Sequence, residues 1–404
     1  MSAVAVIENL EDVKGVTNNS GGNFSQNSNQ SQNNNQNSRS CRVPWYRTPL
    51  DKETMRALNA KSDLKGFAQT FGHLGILLLT GGLVLYGVGR WPWWTIAFLI
   101  FAHGTVASFA INAVHELVHK SVFKTQALNV FFARVFAFFG WINHEHFWNS
   151  HTRHHQYTLH QPDDLEVVLP LKVLTQHFFK FGFINLPALI NQPKNTLRLA
   201  RGRFAGQWES TLFPDDKPEV ARPVIAWARF LLVGHVLIFA ASLLAGALVD
   251  ARWFLLPVLT SLTPAYGLWL HFLCNNTQHI GLQDGVPDFR LSCRTFTVNP
   301  IVQFLYWHMN YHIEHHMYAA VPCYNLTKLH RAIKHDLPPC THGLIATWRE
   351  IAAIQRKQEE DPTYQYVAPL PTRGTTPAAT ATAEIATAGM ATTEQHSAVL
   401  SDAA

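Results

Sequence analysis

Three clusters of histidine dominate the chain: His115-Glu-Leu-Val-His119, His151-Thr-Arg-His154-His155 and His312-Ile-Glu-His315-His316. Within each cluster the rings recur at three- or four-residue spacing, which on a helix places them on neighbouring faces. The clusters hold two, three and three histidines. That is more than one metal ion needs, since a catalytic zinc takes three protein ligands. Neutral imidazole suits zinc, iron, copper and nickel alike, so the pattern by itself does not name the metal. His279 lies outside the clusters, four residues after Asn275, a spacing that again shares one helical face. With it, nine imidazoles fit two metal ions that keep open positions.

These ligands must be carried by apolar elements. In 404 residues the chain is 47% apolar, but its polar residues are concentrated at the ends. Hydropathy marks four membrane segments, at about 67–88, 93–113, 229–248 and 253–274. Each is near the ~20 residues that cross ~30 Å of hydrocarbon. They form two hairpins with short connections, Gly89–Pro92 and Val249–Arg252, and Trp91, Trp93, Trp94 and Trp253 cluster there as interfacial aromatics do. The expected fold is therefore an all-α integral membrane protein, with four transmembrane helices in two hairpins. Arg42, Arg47, Lys52, Arg56, Lys61 and Lys65 precede the first segment, and Lys120, Lys124 and Arg134 follow the second. The positive-inside rule then places both termini and all three clusters in the cytoplasm. Two further apolar stretches, about 127–142 and 173–190, are read as helices at the membrane interface or capping the site.

The ends differ from this core. Residues 1–40 form an Asn/Gln/Ser-rich tail expected to be disordered, 41–66 a pre-membrane segment, 67–368 the membrane domain, and 369–404 an Ala/Thr-rich flexible tail. Glu8, Glu11 and Asp12 leave no apolar run for a cleavable signal peptide. Five scattered cysteines without a Cys-x-x-Cys pair fit a reducing compartment. A net charge of +5 without a long basic run gives no reason to expect nucleic acid as a partner.

At the clusters, the chain resembles the membrane fatty acid desaturase superfamily. That family carries a box of two histidines, then two boxes in which a histidine is followed after two residues by a His-His pair. The stretches Asn310-Tyr-His-Ile-Glu-His-His-Met317 and Val321-Pro-Cys-Tyr-Asn-Leu326 are similar to its third-box region, and the resemblance spans roughly residues 65–340. It implies a cytoplasmic helical cap above the transmembrane helices that holds a di-metal site. It implies two iron ions held there by His115, His119, His151, His154, His155, His279, His312, His315 and His316, with Asn275 contacting metal through water. It implies O2 as co-substrate and a fatty-acyl chain as substrate, in the endoplasmic reticulum membrane if the cell is eukaryotic. Desaturation and hydroxylation share this scaffold. His312 stands where front-end desaturases carry Gln, and no His-Pro-Gly-Gly haem motif is present. A separate electron donor is therefore implied, either a cytochrome b5-type protein or a ferredoxin with its reductase.

Other readings attach to single features. His115-Glu116-x-x-His119 also fits the zinc-protease motif, with Glu116 as base, but leaves two boxes unused. A metal carrier would not need the three boxes in this order. Glu116 and Glu314 are candidate acceptors orienting ligand imidazoles. Asp163, Asp164 and Glu166 follow Pro162 and read as helix-capping residues. His144, His146 and His160 read as surface histidines, and His103, His235 and His271 fall inside membrane segments.

Overall fold

A computed structural model describes residues 42–173 and 175–371. The expected tails, 1–40 and nearly all of 369–404, lie outside the described residues. The elements that matter here are α1 (Asp63–Gly87), α2 (Trp93–Ala107), α3 (Ala110–Val118), α4 (Gln126–Phe139), α5 (His144–Tyr157), α6 (Leu186–Ala200), α7 (Pro218–Leu248), α8 (Trp269–Asn275), α9 (His312–Met317), α10 (Leu326–Ile333) and α11 (Leu344–Glu360). The described residues are mostly helical. Two two-residue strands, β1 (Phe296–Thr297) and β2 (Thr341–His342), pair in parallel.

Three helices among the described residues are long and apolar enough to cross a membrane: α1, α2 continued by α3, and α7, with 25, 26 and 31 residues. Large apolar side chains stand exposed along them, including Leu78, Phe98, Val236 and Leu237. Contiguous surface of this kind is stable only against hydrocarbon or a partner. The second helix bends at Ser108–Phe109. Thr105 Oγ1 and Ser108 Oγ turn back onto the carbonyls of Phe101 and Thr105, at 3.1 and 2.7 Å. Such back-bonding competes with the helix ladder and bends helices.

The fourth apolar stretch differs from the expected single helix. Residues 253–274 fold as short turns, Ala251–Leu255, Leu256–Leu259 and Thr263–Ala265, and then α8. The physical reason lies in Pro257, Pro264 and Gly267. Proline cannot donate to a helix ladder and pushes its predecessor away from helical geometry. Gly267 has φ +73°, and a Cβ there would stand 2.6 Å from Thr105 N. This backbone therefore packs directly on α2. Two of its freed carbonyls are satisfied by side chains, His103 Nε2 on Leu259 O (2.8 Å) and Tyr266 Oη on Val258 O (2.6 Å), while His235 Nδ1 pairs with the Ser261 hydroxyl (2.8 Å). Both histidines are thus buried and hydrogen-bonded, and His103 compensates a carbonyl of the broken segment.

The stretch at 173–190 is also interrupted. A helical turn at Thr175–His177 runs into a π-turn at Phe178–Phe183, and α6 begins only at Leu186. The stretch at 127–142 is a continuous helix over Gln126–Phe139, as expected. The cap core is built from α3, α4 and α10, with Leu117, Phe123, Phe136, Trp307, Met317 and Leu329 buried together.

One clasp ties α6 to the short helix Gly206–Leu212 that follows it. Glu209 accepts from Arg198 Nη1 and Nη2 (2.5 and 2.8 Å) and from Ala205 N (2.6 Å). Burial raises the Glu209 pKa, but the hydrogen bonds from His146, Arg198 and Ala205 outweigh it and hold the carboxyl at about 2. A carboxylate depressed in the folded state stabilises above its unfolded pKa, and that contribution is lost as pH falls toward the folded value. The shift corresponds to at most ~3 kcal/mol. Glu209→Gln is expected to lower the thermal midpoint at pH 7, with the gap from wild type closing as the buffer is taken from about pH 5 toward pH 2. An equal gap at both ends of that range would refute the clasp.

Candidate metal centre

The two His-x-x-His-His boxes act through the angle between successive helix positions. At 3.6 residues per turn, residues four apart lie about 40° apart on the helix wheel, whereas adjacent residues lie about 100° apart. One short helix can therefore serve two centres. On α5, His151 and His155 enter a first cluster with His115, His119 and His315, whose ligand atoms all lie within 4.8 Å of one another. On α9 the assignment is reversed. His312 and His316 enter a second cluster with His279 and Cys293, again within 4.8 Å, while His315 turns to the first. His154 stands beside the second cluster, its ring 5.2 Å from that of His279 and 5.0 Å from that of His316. The two clusters touch where the His155 and His316 rings stack at 4.3 Å.

The nitrogens converge. Nε2 to Nε2 separations are 2.9 Å for His151–His155, 3.1 Å for His155–His315, 3.0 Å for His279–His312 and 3.1 Å for His312–His316. Two imidazoles at right angles on one metal, each bonded at 2.0–2.1 Å, would place their nitrogens about 3 Å apart. The Nε2 atoms of His115 and His119 are buried without a hydrogen-bond partner. This donor set therefore fits metal ions.

Carboxylates and carbonyls fix the outer nitrogens. His151 Nδ1 pairs with Glu166 Oε1 at 3.0 Å, His154 Nδ1 with Asp164 Oδ2 at 2.8 Å, and His279 Nδ1 with Ser292 O at 2.8 Å. With the proton on Nδ1, the Nε2 lone pair is free to bind metal. His316 Nδ1 lies 3.2 Å from Thr158 Oγ1. Glu116 Oε1 lies 3.1 Å from His115 Nδ1 and 3.4 Å from His315 Nδ1.

Several expectations need correction. Asp164 and Glu166 cap no helix. They sit in the loop after α5, buried, and orient the second box; Asp163 instead pairs with Arg153. Their loop brings them back only in three dimensions, ten and fifteen residues from their partners, so no periodic signal exposes them. Glu314 holds Thr295 Oγ1 at 2.5 Å and also His330, rather than a ligand imidazole. Cys293 joins the second cluster from outside every box. Asn275 ends α8, half-buried and four residues before His279. His146 belongs to the Glu209 clasp at 3.3 Å, and His144 is buried against Trp227.

Electrostatics favour the ligand form. Burial, followed by mutual repulsion, holds His151, His155, His312, His315 and His316 well below the ordinary histidine value. Burial puts His119 at about 4, and burial with the charge of His154 puts His279 at about 3. His154 is the exception. Burial lowers it, but the charge and hydrogen bond of Asp164 prevail and raise it above the ordinary value.

A comparison with curated proteins returned no match. A family model described as fatty acid desaturase matches residues 89–348, a stretch that contains all three boxes, His279 and the loop carrying Asp164 and Glu166. With well over half of its length matched, the chain belongs to the fatty acid desaturase family.

Proposed function

We propose that this chain is a membrane di-iron desaturase, which uses O2 and electrons from a separate donor to introduce a double bond into a fatty-acyl chain. The observation that carries the reading is the pair of converging imidazole clusters, five nitrogens in one and three beside Cys293 in the other. His115, His119, His151, His155 and His315 would hold one iron. His154, His279, His312 and His316 would hold the second, with Asn275 acting through water. Bound there, the iron pair would supply O2 activation and removal of hydrogen from an unactivated C–H bond.

The chain's own groups prepare that site. Neutral imidazoles present lone pairs without having to lose protons, His154 excepted. Glu116, Asp164 and Glu166 hold the outer nitrogens, so the rings do not turn as the site loads. Phe147 stacks on His151 at 4.9 Å and Phe289 lies 5.3 Å from His316, which limits water around the centre. The protease reading loses support here. Glu116 is fully buried against two imidazole Nδ1 atoms, so it does not face an open metal position as a general base must.

The same reading places the protein in the bilayer as a multi-pass protein with both termini and the clusters cytoplasmic, and with 253–274 as a fourth, broken crossing. In a eukaryotic cell the membrane would be the endoplasmic reticulum. Hydroxylation of an acyl or other lipophilic substrate is the second reading, because the same site geometry serves both outcomes. Expression in a host lacking the activity, followed by mass spectrometry of its lipids, separates them. A product lacking two hydrogens is expected, whereas a product carrying one added oxygen would give the reaction to a hydroxylase. Purified protein should turn over only with NAD(P)H, a reductase and a cytochrome b5-type protein or ferredoxin. Turnover without any reductant would defeat both readings.

A further inference from the structure

We infer that residues 178–200 form a re-entrant hairpin, which enters the bilayer from the face carrying the metal clusters, turns near its middle and returns. Its partner is the hydrocarbon of the bilayer. The inference rests on the reading of α1, α2–α3 and α7 as membrane-spanning.

Contacts with residues of known height on a spanning helix set the depth. The Phe183 ring stacks on Phe101 at 5.9 Å and 18°. Phe101 lies eight residues beyond Trp93 and fourteen before His115. At 1.5 Å per residue that is about 12 Å from the tryptophan end and, because the helix bends at Ser108–Phe109, at most about 21 Å below the first cluster. The turn is also joined to the broken segment. Gly267 N donates to Phe183 O at 2.9 Å, Asn185 N donates to Ala265 O at 2.7 Å, and Ile184 bridges Tyr266 in antiparallel fashion. Gly267 itself packs on the backbone of Phe101, Gly104 and Thr105. The turn and α2 are thus locked at the same height.

The return leg has the matching length. From Leu186 to Ala200, α6 climbs fourteen residues, again about 21 Å. At its top, Ala200 O accepts from Arg229 Nε at 2.9 Å, and Arg229 begins the apolar part of α7.

Composition agrees with this path on the return leg. Residues 181–193 carry no charged side chain, and Lys194, Arg198, Arg201 and Arg203 follow. Lys180, three residues before Phe183, is a charge close to the turn and lies over the Phe181 ring at 4.8 Å. Phe183, Ile184, Leu186, Leu189 and Ile190 are exposed, Ile190 at 71%. That surface continues onto the exposed apolar face of α7, against which α6 packs. Irregular backbone at membrane depth must find its hydrogen bonds within the protein. Here the turn finds them on residues 265–267 and on the Asn185 side chain, which caps Ala188 N at 3.3 Å. A helix lying flat on the interface would not reach Phe101.

Site-directed spin labelling in lipid nanodiscs tests the depth, with the wild-type spectrum subtracted for native thiols. Ile184→Cys should collide with O2 several-fold more than with a water-soluble nickel chelate, as Leu237→Cys on α7 should. Arg356→Cys on α11 should show the reverse. In sealed vesicles, Lys172→Cys and Arg203→Cys should react with a membrane-impermeant maleimide from the same side as Arg356→Cys. Nickel access at residue 184 equal to that at residue 356 would overturn the hairpin in favour of a surface helix. Labelling of residues 172 and 203 from opposite sides would overturn it in favour of a full crossing. Nickel access at Leu237→Cys would remove the membrane reading and the hairpin with it, and leaves the metal centre unaffected.

Discussion

His279→Ala is expected to leave one tightly held iron per chain in place of two and to abolish turnover. His279 is 95% buried, its Nδ1 is fixed on the Ser292 carbonyl, and its Nε2 faces His312 Nε2 at 3.0 Å. Alanine removes a donor nitrogen and opens a cavity next to three further imidazoles, those of His154, His312 and His316. The remaining donors of the second cluster would be His154, His312 and His316, with the Cys293 thiol. Burial raises that thiol above its ordinary pKa, which disfavours the thiolate in the metal-free site. The loss should exceed the roughly 10–100-fold typical of removing an orienting partner. His315→Ala should act as severely, but on the other cluster, because His315 Nε2 lies 3.1 Å from His155 Nε2. Iron analysis with Mössbauer spectroscopy reads the two variants separately. If His279→Ala keeps both irons and near-normal turnover, His279 is not a ligand, although the three boxes would still stand.

The sequence shows the clustered histidines because their spacing is local. A His-x-x-His-His run has one helical interpretation, and His115 with His119 needs a single turn of α3. The partition between two clusters follows from the same wheel, with residues four apart sharing a centre and the residue between them reaching the other. Of the orienting carboxylates, Glu116 is legible inside the first box, but Asp164 and Glu166 are not. Asp164 reaches His154 through a loop whose path depends on Leu159 at φ +60° and on contacts with the third box. Cys293 meets His279 only after Asp288–Ser292 has folded back beneath it. Hydropathy misreads 253–274 for another reason. It averages over Pro264-Ala-Tyr-Gly267, whose breaking signals are present, and it cannot see that His103 and Tyr266 supply hydrogen bonds to the carbonyls of a broken segment.

Asp164→Asn should weaken the second metal more than Glu166→Gln weakens the first. Three donors converge on the two Asp164 oxygens. Oδ2 takes His154 Nδ1 and Leu159 N, each at 2.8 Å, and Oδ1 takes Glu166 N at 2.9 Å. The side chain is fully buried, so water cannot replace a lost acceptor. Asparagine keeps one oxygen and turns an NH2 group toward at least one donor. Leaving a buried donor unsatisfied costs about 1–3 kcal/mol, and losing an orienting partner costs about 10–100-fold in metal affinity. Glu166 is more forgiving. Its oxygens hold His151 Nδ1 at 3.0 Å and Ser150 Oγ at 2.5 Å. Glutamine can still accept from the imidazole, and only the contact to Ser150 Oγ, which also accepts from Trp208 Nε1 at 3.0 Å, must rearrange. Acidity adds a second signature. His154 alone among the second-cluster imidazoles has a raised pKa, so falling pH protonates it first and displaces metal from that cluster first. Asn at 164 removes the charge that raises it, so the acid loss of the second metal should move to lower pH even as affinity at neutral pH falls. Metal titrations of the wild type and both variants across pH, with thermal midpoints recorded alongside, check this. Unchanged second-site affinity in Asp164→Asn, or an acid profile that does not move, would show that Asp164 shapes the loop without orienting His154.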